Sequence, residues 1–257
     1  MTNRSAIDRY SRQILFSRIG KAGQAKLWKS RVVIIGCGGL GCNIAGLLVR
    51  AGVGNLRIID RDVVEYHNLP RQVLYDEADV KAGLPKAIAA ERHLKQINST
   101  ALIKSIVADV NSANIERLCS DVDIILDGLD NYGTRFVIND FALKHKIPWV
   151  YGGAIMSRGM TMNVIPGETP CFRCVYPVTG YPEAVTCETA GIIGMAPAVV
   201  GSLQATEAVK ILLGAPEINR DLIVTDIWFG TYDRVKVKKR ADCPACHGKY
   251  EFLSAVD

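Results

Sequence analysis

The chain has 257 residues, 49% of them apolar and 22% charged, enough for a buried core and incompatible with a disordered, collagen-like or disulfide-scaffold protein. A net charge of +5, with no basic block longer than the interrupted run at 236–240, does not call for nucleic acid but permits a mildly acidic protein partner. No run reaches the ~18 apolar residues of a membrane span, the longest (191–201) being broken by Pro197, and the polar N-terminus has no signal-peptide core. A cytoplasmic location is therefore expected, so the eight cysteines read as metal ligands, reactive thiols or core residues before disulfides.

Residues 31–36 are a short β-branched run, the pattern of a buried parallel strand. Gly36-Cys-Gly-Gly-Leu-Gly41 follows, then a helix over 43–52 with Ile44, Leu47, Leu48 and Ala51 at helical spacing. A strand is expected over 55–60 and a helix over 85–97, with Pro85 in its first turn. Strands near 101–107 and 123–127, a helix over 131–146 and a strand over 148–151 complete the alternating part. Beyond Gly152 the rhythm changes. Residues 160–165 alternate like an antiparallel strand, and 176–190 are rich in Pro, Gly and Thr and read as a long loop. Residues 202–213 read as a helix stopped by Gly214, and strands near 222–227 and 232–237 close the chain. The order predicts an α/β fold in one domain, a Rossmann-like nucleotide-binding sheet continued by antiparallel C-terminal strands. An N-terminal helical segment (1–30) would precede a nucleotide-binding part (31–150) and a distinct C-terminal part (151–257).

The glycine cluster sits between a strand and a helix. Gly36, Gly38, Gly39 and Gly41 allow a tight turn and let backbone N–H groups approach a phosphate at the positive end of the helix dipole. Asp60, 24 residues after Gly36, falls where an acid would bind a ribose hydroxyl. This motif alone does not separate NAD from ATP. Two knuckles, Cys171-x-x-Cys174 and Cys243-x-x-Cys246, suit tetrahedral zinc. The 68 residues between them exceed a compact zinc finger, so redox or buried thiol pairs stay open. Cys37, Cys42 and Cys119 read as packed thiols, and His247 as a bystander.

Further strings surround the cluster: Arg9-Tyr-Ser-Arg12-Gln13, Ala51-Gly-Val-Gly54, Asp60-Arg-Asp62, Asn68-Leu-Pro-Arg71-Gln72, Gly83-Leu-Pro-Lys86 and Asp127-Gly-Leu-Asp130-Asn131. In that order, and continuing through both cysteine knuckles, the chain resembles the ThiF/MoeB/HesA family, bacterial relatives of ubiquitin-activating enzymes. The resemblance implies ATP-dependent adenylation of the C-terminal Gly-Gly carboxylate of a small ubiquitin-fold sulfur-carrier protein. Pyrophosphate is released, and a thiocarboxylate forms later for thiamin, molybdopterin or related biosynthesis. It implies that Arg71 and Lys86 contact the triphosphate, that Asp130 serves magnesium, and that Asp60 holds the ribose while Asp62 and Asn68 line the site. Arg12 would reach a neighbouring subunit's triphosphate, which implies a homodimer. Cys171, Cys174, Cys243 and Cys246 would hold a structural zinc, and 151–257 would be the carrier-binding and zinc part. Cys187 matches a position where thiamin-branch members carry a cysteine able to link to the carrier.

The residues also have plainer readings. Arg71 and Lys86 are compatible with ordinary surface charges, Asp130 with a helix N-cap, and Arg135 and Asn139 with a solvated or buried helix face. The family's usual Gly-Gln reads Gly159-Met160 here. The sequence carries no rhodanese-like segment, so a separate sulfur donor protein is expected. Alternatives are adenylation of another peptide or protein carboxylate, an NAD-dependent oxidoreductase, and a zinc-stabilised scaffold. The oxidoreductase lacks a catalytic partner, since none of His67, His93, His145 and His247 has an evident companion.

Overall fold

The computed structural model describes residues 3–176 and 187–254, with side chains described from Arg9 onward and not at 187 and 188. Two helices, α1 (Asn3–Leu15) and α2 (Gly20–Lys29), precede β1 (Arg31–Ile35). The chain then runs through α3 (Gly39–Ala51), β2 (Asn55–Ile59), α4 (Glu77–Lys81), α5 (Lys86–Ile97), β3 (Leu102–Ile106), α6 (Ile115–Cys119), β4 (Ile124–Asp127) and α7 (Tyr132–His145). It continues with β5 (Trp149–Ile155), β6 (Arg158–Val164), α8 (Phe172–Val175), α9 (Cys187–Ala190), α10 (Met195–Leu213), β7 (Leu222–Asp226), β8 (Thr231–Val235) and α11 (Glu251–Ser254).

The eight strands form one sheet in the order β3-β2-β1-β4-β5-β6-β7-β8. The first five are parallel, and β6, β7 and β8 add on antiparallel. The expected change of rhythm after Gly152 is thus the point where β5 turns back as a hairpin. Side chains alternate across the sheet, so β1 feeds both faces. Val32 and Ile34 join one core with Leu48, Leu94 and Ala208, whereas Val33 and Ile35 join another with Phe141, Trp149 and Phe172. A strand covered on both sides needs a continuous apolar run, and Val32-Val-Ile-Ile35 supplies it. β8 is different: all five of its residues are exposed.

Two helices begin earlier than periodicity suggests. α3 starts at Gly39, inside the glycine cluster, so the turn feeds straight into the helix. α10 starts at Met195 rather than near 202. Pro197 lies in its first turn, where no intrahelical N–H bond is lost, and the later part of the apolar run 191–201 supplies the helix's buried residues Ala196, Pro197, Val200 and Gly201, with α10 packed on α3.

Candidate active site

The strand order places β1 beside β4 with β2 and β3 on the other side, so the chain leaves neighbouring strands in opposite directions and opens a crevice at their C-terminal ends. The glycine turn fills one wall. Gly36 has φ +87, and a Cβ there would lie 2.6 Å from Gly128 O. A Cβ at Gly41 or Gly128 would fall 2.1 or 2.2 Å from Gly36 O. The turns after β1 and β4 therefore interlock backbone to backbone, which no side chain permits. No side chain caps the N-terminus of α3, so its first N–H groups remain available to an anion.

Three predicted residues form a chain on the β2 side of this turn. Cys37 N donates to Asp60 Oδ2 (2.6 Å), and Asp62 N donates to Asp60 Oδ1 (2.8 Å). Lys86 Nζ donates to Asp62 Oδ2 at 2.8 Å. Burial pushes the Asp60 carboxyl above the usual range, with the two backbone donors and nearby Lys86 pulling against it. Lys86 is only 7% exposed, so the reading of an ordinary surface lysine fails. Tyr75 ties the group together: its hydroxyl donates to Cys37 O (2.8 Å), with Lys86 O at 3.1 Å.

Arg71 lies on the opposite lip, where its backbone carbonyl is 3.5 Å from a Cβ built on Gly39, and its Nη1 donates to His67 O (2.7 Å). Asn68 is buried, and its Oδ1 accepts from Glu65 N to close a single 3-10 turn. It supports the 68–72 segment. Asp130 is exposed just beyond the Gly128 contact. It is not the helix cap: Asn131 Oδ1 accepts from Thr134 N (3.0 Å) and caps α7. The Asp130 carboxylate is thereby left for another use. Arg12 stands exposed on α1 and completes no site in the single chain. The Cys187 side chain lies outside the described residues.

A buried ion pair supports the floor. Asp127, fully buried at the end of β4, accepts from Arg135 Nε (2.8 Å) and Leu129 N (2.8 Å). Arg135 Nη2 donates to Leu129 O (2.6 Å) and Gly152 O (2.7 Å), and its guanidinium lies 5.1 Å from the Tyr151 ring centroid. Burial raises the Asp127 pKa, with Arg135 the strongest opposing influence. Burial works against the Arg135 charge too, but Asp127 outweighs it and the guanidinium pKa rises. Both residues were visible in the sequence, the one within a quoted motif and the other on the following helix. Their pairing across the β4–α7 turn was not.

The four predicted metal thiols converge. Sγ–Sγ separations are 3.8 Å (Cys171–Cys174), 3.6 Å (Cys171–Cys243), 3.6 Å (Cys174–Cys246) and 3.5 Å (Cys171–Cys246). Zinc–sulfur bonds of about 2.3 Å in a tetrahedron require about 3.8 Å between sulfurs, so the donor set and spacing fit a zinc ion. His247 instead places Nε2 2.7 Å from Ala241 O. Among the described residues one other group can gather ligands: Asp76, Asp79 and His93. His93 does have a companion, buried Asp79 at 2.7 Å, which corrects the reading of lone histidines. Asp76 and Asp79 form a reciprocal capping box for α4, and that role accounts for their meeting.

Comparison with known proteins gives the family. A family model described as the ThiF family matches residues 10–245. The sulfur carrier protein ThiS adenylyltransferase of Bacillus subtilis is 47% identical over 252 residues, spanning 96% of this chain and 74% of that protein. The SAMP-activating enzyme E1 of Haloferax volcanii is 37% identical, spanning 98% of this chain and 93% of its own length. Among solved structures, E. coli MccB with MccA-N7isoASN superposes with a TM-score of 0.82 at 25% identity, over 93% of this chain and 74% of that one.

Proposed function

We propose, from the premise that this chain belongs to the ThiF family and is an adenylyltransferase, that its acceptor is the C-terminal Gly-Gly carboxylate of a small ubiquitin-fold sulfur carrier. The choice of a sulfur carrier rests on the relatives' names, and Lys86 carries the nucleotide side of the reading. It is a nearly buried cation joined through Asp62 and Asp60 to the N–H of the glycine turn. A triphosphate needs such a cation, and hydride transfer from a nicotinamide does not.

The acceptor carboxylate is already ionised near neutral pH, so attack on the α-phosphorus needs no general base. A carboxylate oxygen forms the new P–O bond, the bond to the β-phosphate breaks, and pyrophosphate leaves with the electron pair. The protein's task is alignment and charge compensation. The turn and α3 offer N–H donors, Lys86 a compact charge and Arg71 a planar fork. Asp60 would receive a ribose hydroxyl. Asp130, freed from capping by Asn131, would hold magnesium together with phosphate oxygens, and the ion would neutralise charge on the leaving group. No covalent step through Cys187 is required for adenylation.

A docking face is available at the same end of the sheet. The β5–β6 hairpin and the β7–β8 connection meet through Ser157 and Asp226 (2.8 Å). Beside them Trp228 and Phe229 are 73% and 74% exposed, and Met156 and Tyr232 are also exposed. An apolar patch next to an unpaired edge strand, β8, suits a protein partner. Leu15 and Phe16, exposed beside Arg12, suit a homodimer in which Arg12 crosses to the partner's nucleotide. The thiocarboxylate step falls to a separate sulfur donor protein, and the chain acts in the cytoplasm; among the described residues no helix is long and apolar enough to cross a membrane.

The test is exchange of labelled pyrophosphate into ATP. Exchange that requires a Gly-Gly-ended carrier supports the proposal. Exchange driven by short peptides would favour the peptide reading, and nicotinamide absorbance changes without exchange would favour the oxidoreductase.

A further inference from the structure

Lys86 and His93 are seven residues apart on α5, about two turns, so they share one face of the helix. The capping box explains why Asp76 and Asp79 meet. It does not explain why a third group, His93 Nε2, reaches Asp79 Oδ2 at 2.7 Å. Asp79 is 0% exposed, and its Oδ1 is enclosed with no hydrogen-bond partner. A buried carboxylate with one oxygen unserved depends on the donors the other has. These are Asp76 N (3.1 Å) and His93. An ionised carboxylate only accepts, so the hydrogen of this contact sits on Nε2.

From Asp79 the contacts run on to Lys86. Asp79 O accepts from Leu84 N (3.1 Å), and Leu84 O accepts from Val64 N (2.9 Å). Asp62 O in turn accepts from Lys86 N (2.8 Å). Val63 and Pro85 form an antiparallel bridge between these rungs. Residues 62–64 and 84–86 thus make a short ladder that sets Lys86 Nζ 2.8 Å from Asp62 Oδ2. The helix at the far end of the ladder, α4, has five residues, too few to be stable by its own hydrogen bonds. The link from α4 to α5 passes through Gly83, at φ +60 with nothing within 4 Å of its Cβ position. The His93–Asp79 bond closes this loop from the α5 side.

We propose that His93 is a positioning residue for Lys86: by holding Asp79 it ties α4 to α5, fixes the ladder and aims the ammonium that faces the triphosphate. This deepens the nucleotide reading and rests on Lys86 contacting phosphate. A misplacement of about 1 Å at such a group is enough to weaken what it does.

His93→Leu removes the donor and keeps an apolar body. Affinity for ATP–magnesium, read by calorimetry on the folded chain, should fall about ten-fold. His93→Gln, which keeps an N–H donor, should recover the wild-type affinity. Lys86→Met should lose more than His93→Leu does. Adding His93→Leu to Lys86→Met should lose nothing further, because the histidine acts through the lysine. Unchanged affinity in His93→Leu overturns the proposal. So does a full further loss in the Lys86→Met background, or a loss in His93→Gln as large as that in His93→Leu; either would make His93 a general structural support. If His93→Leu does not fold, Asp79→Leu breaks the same link from the other side and leaves no buried charge. It must show the same loss and the same dependence on Lys86. The two readings fail separately. A loss in Lys86→Met with none in His93→Leu refutes the positioning role alone. Wild-type affinity in Lys86→Met refutes the triphosphate contact, and the positioning role falls with it.

Discussion

Arg135→Met should be among the most damaging single substitutions outside the phosphate contacts. The guanidinium makes three short hydrogen bonds, to Asp127, Leu129 and Gly152, at 2.6–2.8 Å. It is 4% exposed and its partner Asp127 is fully buried. Removing it leaves a carboxylate without its counter-charge in the protein interior. Breaking such a pair costs about 3–5 kcal/mol, and for a chain of this size each kcal/mol lowers the melting temperature by about 2–4 °C. The expected loss is thus roughly 6–20 °C in a thermal unfolding scan. The deficit should depend on pH. Asp127 already has a raised pKa in the folded protein, and loss of Arg135 raises it further. A carboxyl whose folded pKa exceeds its unfolded value binds protons more tightly when folded. Its favourable contribution is present at low pH and is lost as pH rises through the folded pKa. The gap between Arg135→Met and wild type should therefore narrow as pH falls from about 7.5 to about 5. Adding Asp127→Leu should recover much of the loss, because no buried charge then remains unpaired. A drop below about 2 °C, or a gap that ignores pH, would refute the argument that the pair carries the site floor.

Two other predictions concern separate parts of the molecule. Gly128→Ala puts a Cβ 2.2 Å from Gly36 O, about 1 Å or more inside an ordinary contact, so the two turns must part. Stability should fall by about 1–3 kcal/mol and ATP affinity by about ten-fold or more by calorimetry; unchanged affinity would show that the interlock does not shape the cradle. Cys243→Ser should reduce zinc, measured by elemental analysis, from about one ion per chain to near none and lower the melting temperature. ATP affinity should survive, since the thiols pack in the core on the far side of the sheet from α3.

The alternating first half was legible because a strand buried on both faces leaves a short continuous apolar run, as at 31–36, and an amphipathic helix leaves apolar residues at helical spacing, as at 85–97. The helices missed were α4, α6, α8, α9 and α11, each of four or five residues, too short for a periodicity to register; α9 lies in the segment 176–190 expected to be loop throughout. The start of α10 was missed for another reason: Pro197 reads as a breaker unless the helix is known to begin beside it. In the site, sequence spacing singled out the glycine turn, Asp60 and the two cysteine pairs, and the family resemblance singled out Lys86. Neither showed that Lys86 is buried against Asp62, that Asn131 rather than Asp130 caps α7, or that Asp127 and Arg135 pair. Each of these depends on which strand ends lie side by side, and local pattern carries no record of that.

The central claim is adenylation of a carrier C-terminus, and carrier-dependent pyrophosphate exchange tests it most directly. The account predicts exchange with wild-type protein and a Gly-Gly-ended carrier. It predicts no exchange when the carrier lacks its terminal glycine, and none with folded Asp130→Ala. Exchange at the wild-type rate in Asp130→Ala would remove that carboxylate from the mechanism, and exchange indifferent to the carrier terminus would contradict the account itself.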